Sequence, residues 1–293
     1  MRKLLMIFII FCLYSTPALA KLNVVTTLPW IGSIAYSIGG DKIKVTVLVK
    51  ANQDPHSIEA KPSMILAARK ADIIMYNGLD LEIGYLPLLI ESSRNPKIQP
   101  GKPGNLDCSN FVEVIEKNAA SDRSMGDVHP LGNPHYHISP KNMGRVAKGI
   151  AKALSNIDPE NAQIFEKNLA LFNEKLKKKQ NEWASKNIRG KKFVSYHKYF
   201  EYLASEYNFR IIGYVEQKPG IPPSAAYIEA LIDTMKKTKP DSILTIEYYC
   251  NNGIDLLTKR TGVKSIIVPH EVGSTSNIND WFTLMDAVFK SLE

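Results

Sequence analysis

Beyond its first twenty residues the chain alternates short β-branched apolar runs with stretches of helical period, which predicts an α/β protein with largely parallel sheets. Strands are expected at residues 22–26, 43–49, 72–76, 192–196, 210–215, 242–247 and 264–268, with helices between them, for example at 62–70, 140–154, 225–236 and 253–261. No strand pattern occurs between about residues 131 and 190, and that interval carries the strongest helix signal. Asp158 stands as an N-cap, Pro159 at the first helical position and Glu160 in the first turn. Phe165, Leu169, Phe172, Leu176 and Trp183 then fall on one stripe, opposite Glu166, Lys167, Lys175, Lys178 and Glu182. About 28 residues at 1.5 Å each span roughly 40 Å, enough to cross two lobes. The expected architecture is two lobes, each a mostly parallel sheet flanked by helices, joined by one long helix. The N-terminal lobe covers residues 21–155, the connecting helix 156–189 and the C-terminal lobe 190–293.

The first twenty residues break this pattern. Arg2 and Lys3 precede an apolar run over residues 4–13, and Ala18-Leu19-Ala20 follows as a small-x-small cleavage site. Residues 1–20 therefore read as a secretory signal peptide, with a mature chain from Lys21 bound for the periplasm. The run is too short to span a bilayer, and Cys12 lies inside it instead of just after a cleavage site, unlike a lipid-attachment cysteine. Composition fits a folded exported body: 44% of the 293 residues are hydrophobic and only 3 are Cys. That excludes a disordered tail, a collagen-like repeat and a disulfide-stapled miniprotein. Cys108 and Cys250 remain after cleavage, and spacing alone leaves open whether they pair. The formal charge is +8, and its excess gathers in stretches such as Lys175, Lys177, Lys178, Lys179, Arg189, Lys191 and Lys192. Without interleaved aromatics these form a solvated helix face, and no nucleic-acid partner is expected.

Signatures of catalysis are absent from the sequence: no GxxxxGK[ST], no GxGxxG opening a helix, no GxSxG, no HExxH and no CxxC. The six histidines carry the chemistry instead. His56, His197 and His270 each follow an expected strand, placing them at the carboxyl edge of a sheet, where open α/β folds bind ligands. Neutral imidazole is a common ligand for zinc and related ions, and a site needs three or four such donors converging from separate segments. Asn52-Gln53-Asp54-Pro55-His56 is a turn that sets an imidazole on a loop, ahead of a helix opened by Lys61-Pro62-Ser63. Gly132-Asn133-Pro134-His135-Tyr136-His137 is a second Pro-fixed loop, in which one of His135 and His137 is expected as a ligand and the other outward or supporting. Ser195-Tyr196-His197 sets a third imidazole at a strand-to-helix turn.

Taken in order, these segments resemble the extracytoplasmic metal-binding proteins of ABC importers for zinc and manganese. The resemblance covers essentially the whole mature chain and includes the segment from Pro219 to Pro223 ahead of a helix. It implies one metal ion held in a cleft between two α/β lobes, with His56 and His135 as ligands and His197 in the third position, where manganese-type members carry a carboxylate. Three imidazoles point to Zn, with Mn or Fe as the alternative, bound as transported cargo by a monomer that hands it to a membrane permease of an ABC importer. The chain also departs from the family pattern. His137 and Ser139-Pro140 stand where Trp and Asp-Pro are common, and the long His-rich acidic loop is reduced to residues 118–134 with His129 as its one histidine before the NPH motif. The usual last-strand Asp is replaced by Pro269-His270-Glu271, leaving the fourth ligand open between His270, Glu271 and solvent.

Two other classes are weighed against this. A zinc hydrolase would leave one metal position for an activated water and would need a general base, for which Glu59, Glu247 and Glu271 are available without any ligand-plus-base motif. A surface adhesin has no sequence feature to support it.

Overall fold

The computed structural model describes residues 21–117, 129–218, 220–249 and 253–293. The expected signal peptide at residues 1–20, Cys250, Pro219 and most of the 118–134 loop lie outside the described residues.

The N-terminal sheet contains β1 (Leu22–Thr26), β2 (Ile43–Val47), β3 (Ile73–Tyr76) and β4 (Asn105–Asp107) in the order β2-β1-β3-β4, with every pair parallel. The C-terminal sheet repeats that order with β5 (Lys192–Ser195), β6 (Arg210–Tyr214), β7 (Ser242–Thr245) and β8 (Ser265–Ile267), as β6-β5-β7-β8 and again all parallel. The inner strands are apolar on both faces, as parallel strands covered by helices must be: Val24, Val25, Ile73, Ile74, Met75, Ile243 and Leu244 are all buried. In each lobe the chain reverses direction across the sheet beside the first strand. The carboxyl ends of β1 and β3 in one lobe, and of β5 and β7 in the other, therefore border a crevice suited to a ligand.

The flanking helices are α1 (Pro29–Gly39), α2 (Pro62–Arg69), α3 (Leu86–Ser93), α4 (Pro140–Ile157), α5 (Ala162–Ala184), α6 (Glu201–Tyr207), α7 (Ala225–Thr238), α8 (Ile254–Thr261) and α9 (Trp281–Leu292). The first four of these open with Pro in the first turn, where its missing N–H costs no hydrogen bond. The expected stripe of α5 is buried as a whole: Phe165, Leu169, Phe172, Leu176 and Trp183. Burying each of its Phe and Leu side chains contributes about 1.5–3 kcal/mol relative to exposure.

The start of that helix differs from the expectation. Asp158 closes α4, Pro159–Asn161 forms one 3-10 turn, and α5 begins only at Ala162. Pro159 disfavours the helical conformation in the residue before it, and Asp158 accordingly sits at φ −129°, ψ 76°. The helix has 23 residues, or about 35 Å at 1.5 Å per residue.

Helix α9 completes the long-helix layer. Phe289 stacks on Trp183 at 5.1 Å, Phe282 packs on Phe172 at 5.0 Å, and the Trp281 backbone N–H donates to Ser33 Oγ of α1 at 2.9 Å. The C-terminal helix thus fastens the end of the chain to α5 and to the N-terminal lobe.

Candidate metal centre

His56 is positioned by its own tripeptide. Pro55–Ser57 is a 3-10 turn capped by Asp54, whose Oδ1 accepts from the His56 backbone N–H at 3.0 Å and from His56 Nδ1 at 2.7 Å. Nδ1 carries the proton in that contact, so in the neutral ring Nε2 keeps its lone pair free for an ion. Burial opposes ionisation of Asp54, but its hydrogen bonds and charge interaction with His56 outweigh that and hold its carboxyl below the usual range.

His135 is set by the turn before it. Asn133 Oδ1 accepts from the His135 backbone N–H at 2.9 Å, and Asn133 Nδ2 donates to Glu116 at 3.0 Å and to the Lys198 carbonyl at 3.2 Å in the opposite lobe. Asn77, just past β3, donates to the Pro134 carbonyl at 3.2 Å and accepts from the Tyr136 hydroxyl at 2.5 Å. Burial, and then the neighbouring imidazoles, push the His135 pKa well below the ordinary histidine value, so the ring is neutral, as a metal ligand must be.

From the C-terminal lobe, His197 follows β5. Its Nδ1 lies 2.7 Å from Glu216 Oε2, and both side chains are buried. Glu216 follows β6 and is itself oriented by the Gly220 N–H at 2.6 Å. His197 is thereby held in the same sense as His56, with a carboxylate on Nδ1 and Nε2 turned inward. His135 Nε2 lies 3.2 Å from His197 Nε2, and one ring nitrogen each of His56, His135 and His197 lie within 4.8 Å of one another. Among the described residues these three form the group able to hold a metal ion.

The remaining expected residues sit beside that group. The Tyr199 hydroxyl donates to the His270 carbonyl at 2.8 Å and so accepts from His137 Nε2 at 2.8 Å, while Trp281 Nε1 donates to the His137 carbonyl at 2.7 Å. His137 is a buried crosslink between lobes. His270 donates from Nε2 to the Ala51 carbonyl at 2.9 Å, and its buried Nδ1 has no partner among the described residues. Glu271 accepts from the Val272 N–H at 2.7 Å and from the Trp30 backbone, and burial pushes its pKa up to about 8. Neither His270 nor Glu271 belongs to the three-residue group; both line an adjoining cavity of about 30 Å3 with His135, His137, Tyr199 and Tyr248. Cys108 is buried and has no disulfide partner among the described residues, Cys250 lying outside them.

The sequence reading did not single out Glu216, although a carboxylate directly beyond β6, on the same sheet edge as His197, is the available signal. It also passed over His129 as a loop residue, whereas His129 Nε2 lies 3.1 Å from His56 Nε2.

Two α/β lobes that close several neutral imidazoles around a small cleft define a metal-binding member of the solute-binding class. Comparison with known proteins makes the class specific. Residues 24–293 match the family model described as zinc-uptake complex component A, periplasmic. The metal ABC transporter substrate-binding lipoprotein ScbA of Streptococcus cristatus is 32% identical over 257 residues, covering 83% of this chain and 78% of ScbA. The manganese ABC transporter substrate-binding lipoprotein PsaA of Streptococcus pneumoniae is 30% identical over 256 residues, covering 85% and 78% respectively. A crystal structure of ZnuA shares the fold with a TM-score of 0.74 at 24% identity, covering 93% of this chain and 98% of that one. The chain belongs to the ZnuA family of metal-uptake components. It is therefore an extracytoplasmic solute-binding protein of the ABC-importer type and not an enzyme, which removes the hydrolase reading.

Proposed function

We propose that the chain captures a divalent transition metal ion, zinc in preference to manganese, through the Nε2 atoms of His56, His135 and His197, and releases it to the permease of an ABC importer. The observation that carries this reading is the convergence of those three imidazoles from two lobes, two of them with a carboxylate holding Nδ1. Neutral nitrogen donors favour zinc, whereas manganese prefers carboxylate and water oxygens. Because the donors are divided between residues 21–155 and 190–293, separating the lobes would dismantle the site, which supports capture followed by handover from a monomer. His270 and Glu271, expected as candidates for the fourth position, are proposed as the wall of the cleft beside the ion. Export would proceed with cleavage before Lys21, which N-terminal sequencing of the secreted protein checks.

The decisive experiment is elemental analysis of protein purified without added metal, followed by competitive zinc and manganese titration. Stoichiometric zinc, displaced by chelator and not by equimolar manganese, is the expected result. A preference for manganese under the same conditions would overturn the assignment of the cargo, and failure to bind either ion would overturn the function.

A further inference from the structure

We propose that His129 is a fourth imidazole donor to the same ion, supplied by the segment just ahead of Asn133 and not by the His270–Glu271 end of the other lobe. The inference rests on the metal-capture reading and adds a ligand that the sequence pattern did not offer. His129 Nε2 lies 3.1 Å from His56 Nε2, as close an approach as the 3.2 Å between His135 and His197. A tetrahedral ion with nitrogens at 2.0–2.1 Å has nitrogen–nitrogen edges of about 3.3–3.4 Å, so both pairs stand within a few tenths of an ångström of such an edge.

The hydrogen bonding fixes which nitrogen can coordinate. The Leu79 carbonyl lies 3.1 Å from His129 Nδ1, and a carbonyl only accepts, so Nδ1 carries the proton and the neutral ring presents its lone pair at Nε2. Asp54 imposes the same tautomer on His56. Two lone pairs facing each other at 3.1 Å repel, and a cation shared between them turns that repulsion into coordination.

The carbonyl that orients His129 is itself built in. Gly78, Leu79 and Asp80 run consecutively through positive φ, at 79°, 56° and 62°, a conformation uncommon for residues with side chains. Glu82 holds the turn by accepting from Thr27 Oγ1 at 2.7 Å, from the Asn77 N–H at 2.7 Å and from the Gly78 N–H at 3.1 Å. A Cβ at Gly78 would meet Asp107 Oδ1 at 2.1 Å, so only glycine fits there. His129 reaches the three-residue group through His56 alone. The donors of that group, spread over up to 4.8 Å, must draw together around an ion, and His129 is already at ligand spacing from one of them.

The test uses the full mature chain loaded with zinc alone. X-ray absorption at the zinc edge should count four imidazoles in the parent and three in His129→Ala. Competitive titration should show zinc affinity falling by roughly 100-fold or more, beyond the loss usual for groups that only hydrogen-bond a ligand. His270→Ala and Glu271→Gln should each lose less than about tenfold. His129→Gln, with metal-free melting compared with the parent, separates ligand loss from misfolding: an unchanged melt with weakened zinc binding supports the proposal. If His129→Ala keeps affinity within about threefold and the imidazole count is unchanged, His129 is not a ligand, while metal capture stands on the parent's own binding. If the parent binds no divalent metal, both readings fall together.

Discussion

His135 and His137 stand two residues apart on one Pro-fixed turn, both buried, yet their Nε2 atoms meet different partners. His135 turns Nε2 toward His197 at 3.2 Å, whereas His137 commits Nε2 to the Tyr199 hydroxyl at 2.8 Å and the His270 carbonyl at 3.1 Å. Protonation does not separate them. Burial lowers the pKa of both, well below the ordinary value for His135 and to about 4 for His137, so both rings are neutral. What separates them is the partner of each nitrogen. Where an acceptor holds Nδ1, as at His56 and His197, Nε2 is left for an ion; where Nε2 itself is bonded, as at His137 and His270, the imidazole joins segments of the fold.

The largest expected effect breaks or upholds that contrast directly. His135→Ala should weaken zinc binding by well over 100-fold, more than the loss for a group that merely supports a ligand. His137→Ala should leave affinity within about tenfold and instead lower stability by about 1–3 kcal/mol, because it removes hydrogen bonds linking the turn to the opposite lobe. Competitive titration and denaturant melts of the two variants measure both quantities. Equal affinity losses would show that hydrogen-bond partnership does not decide which imidazole coordinates.

The contrast extends to the acids. Asp54 is held below the usual carboxylate range against His56, whereas burial pushes Glu271, beside His137 and His270, up to about 8. With a folded pKa above its unfolded value of about 4.5, Glu271 contributes stability that is complete in acid and is lost as pH rises toward 8. His135 acts in the other direction: its lowered pKa contributes stability above about 6.5 that is lost as pH falls. Metal-free Glu271→Gln, neutral at every pH, should match the parent near pH 4 and exceed it by about 4–5 kcal/mol near pH 8.5. Urea melts at the two pH values check this. A variant no more stable than the parent at the higher pH would mean that Glu271 is ionised in the fold and available as a ligand.

Much of this was legible along the chain because the signals were local. Apolar runs located seven of the eight described strands, and the stripe on α5 located its buried face. Asp54-Pro55-His56 and Asn133-Pro134-His135 each contain their own cap, so the sequence carries both the imidazole and the group that orients its backbone. What escaped depends on distant partners. Strand β4 is only Asn105–Asp107, with no apolar run, and exists because β3 offers it a parallel edge. Asp158 looked like a cap for the helix after it, but α4 ends on it, since capping signals do not say which neighbour claims the residue. His270 follows its strand as His197 does, but Ala51 in the other lobe claims its Nε2, a contact that no local pattern encodes. Glu216 and His129 take their meaning only beside an imidazole brought there by folding.

The smallest expected effect sharpens the contrast at the C-terminal lobe. Glu216 touches His197 and lies outside the group of candidate donors, so its contribution to binding acts through the ring it holds. Glu216→Gln keeps a carbonyl oxygen to accept from His197 Nδ1 but removes the negative charge beside the ring. Zinc affinity should fall by about tenfold, the lower end for a group that supports a ligand, whereas Glu216→Ala, which leaves a buried N–H without its acceptor, should fall toward 100-fold. The two variants separate orientation from charge: equal losses would assign the whole effect to charge, and no loss in either would show that His197 needs no acceptor on Nδ1. In that last case the rule drawn from His56 and His197 would fail at the one donor of the group that the C-terminal lobe supplies.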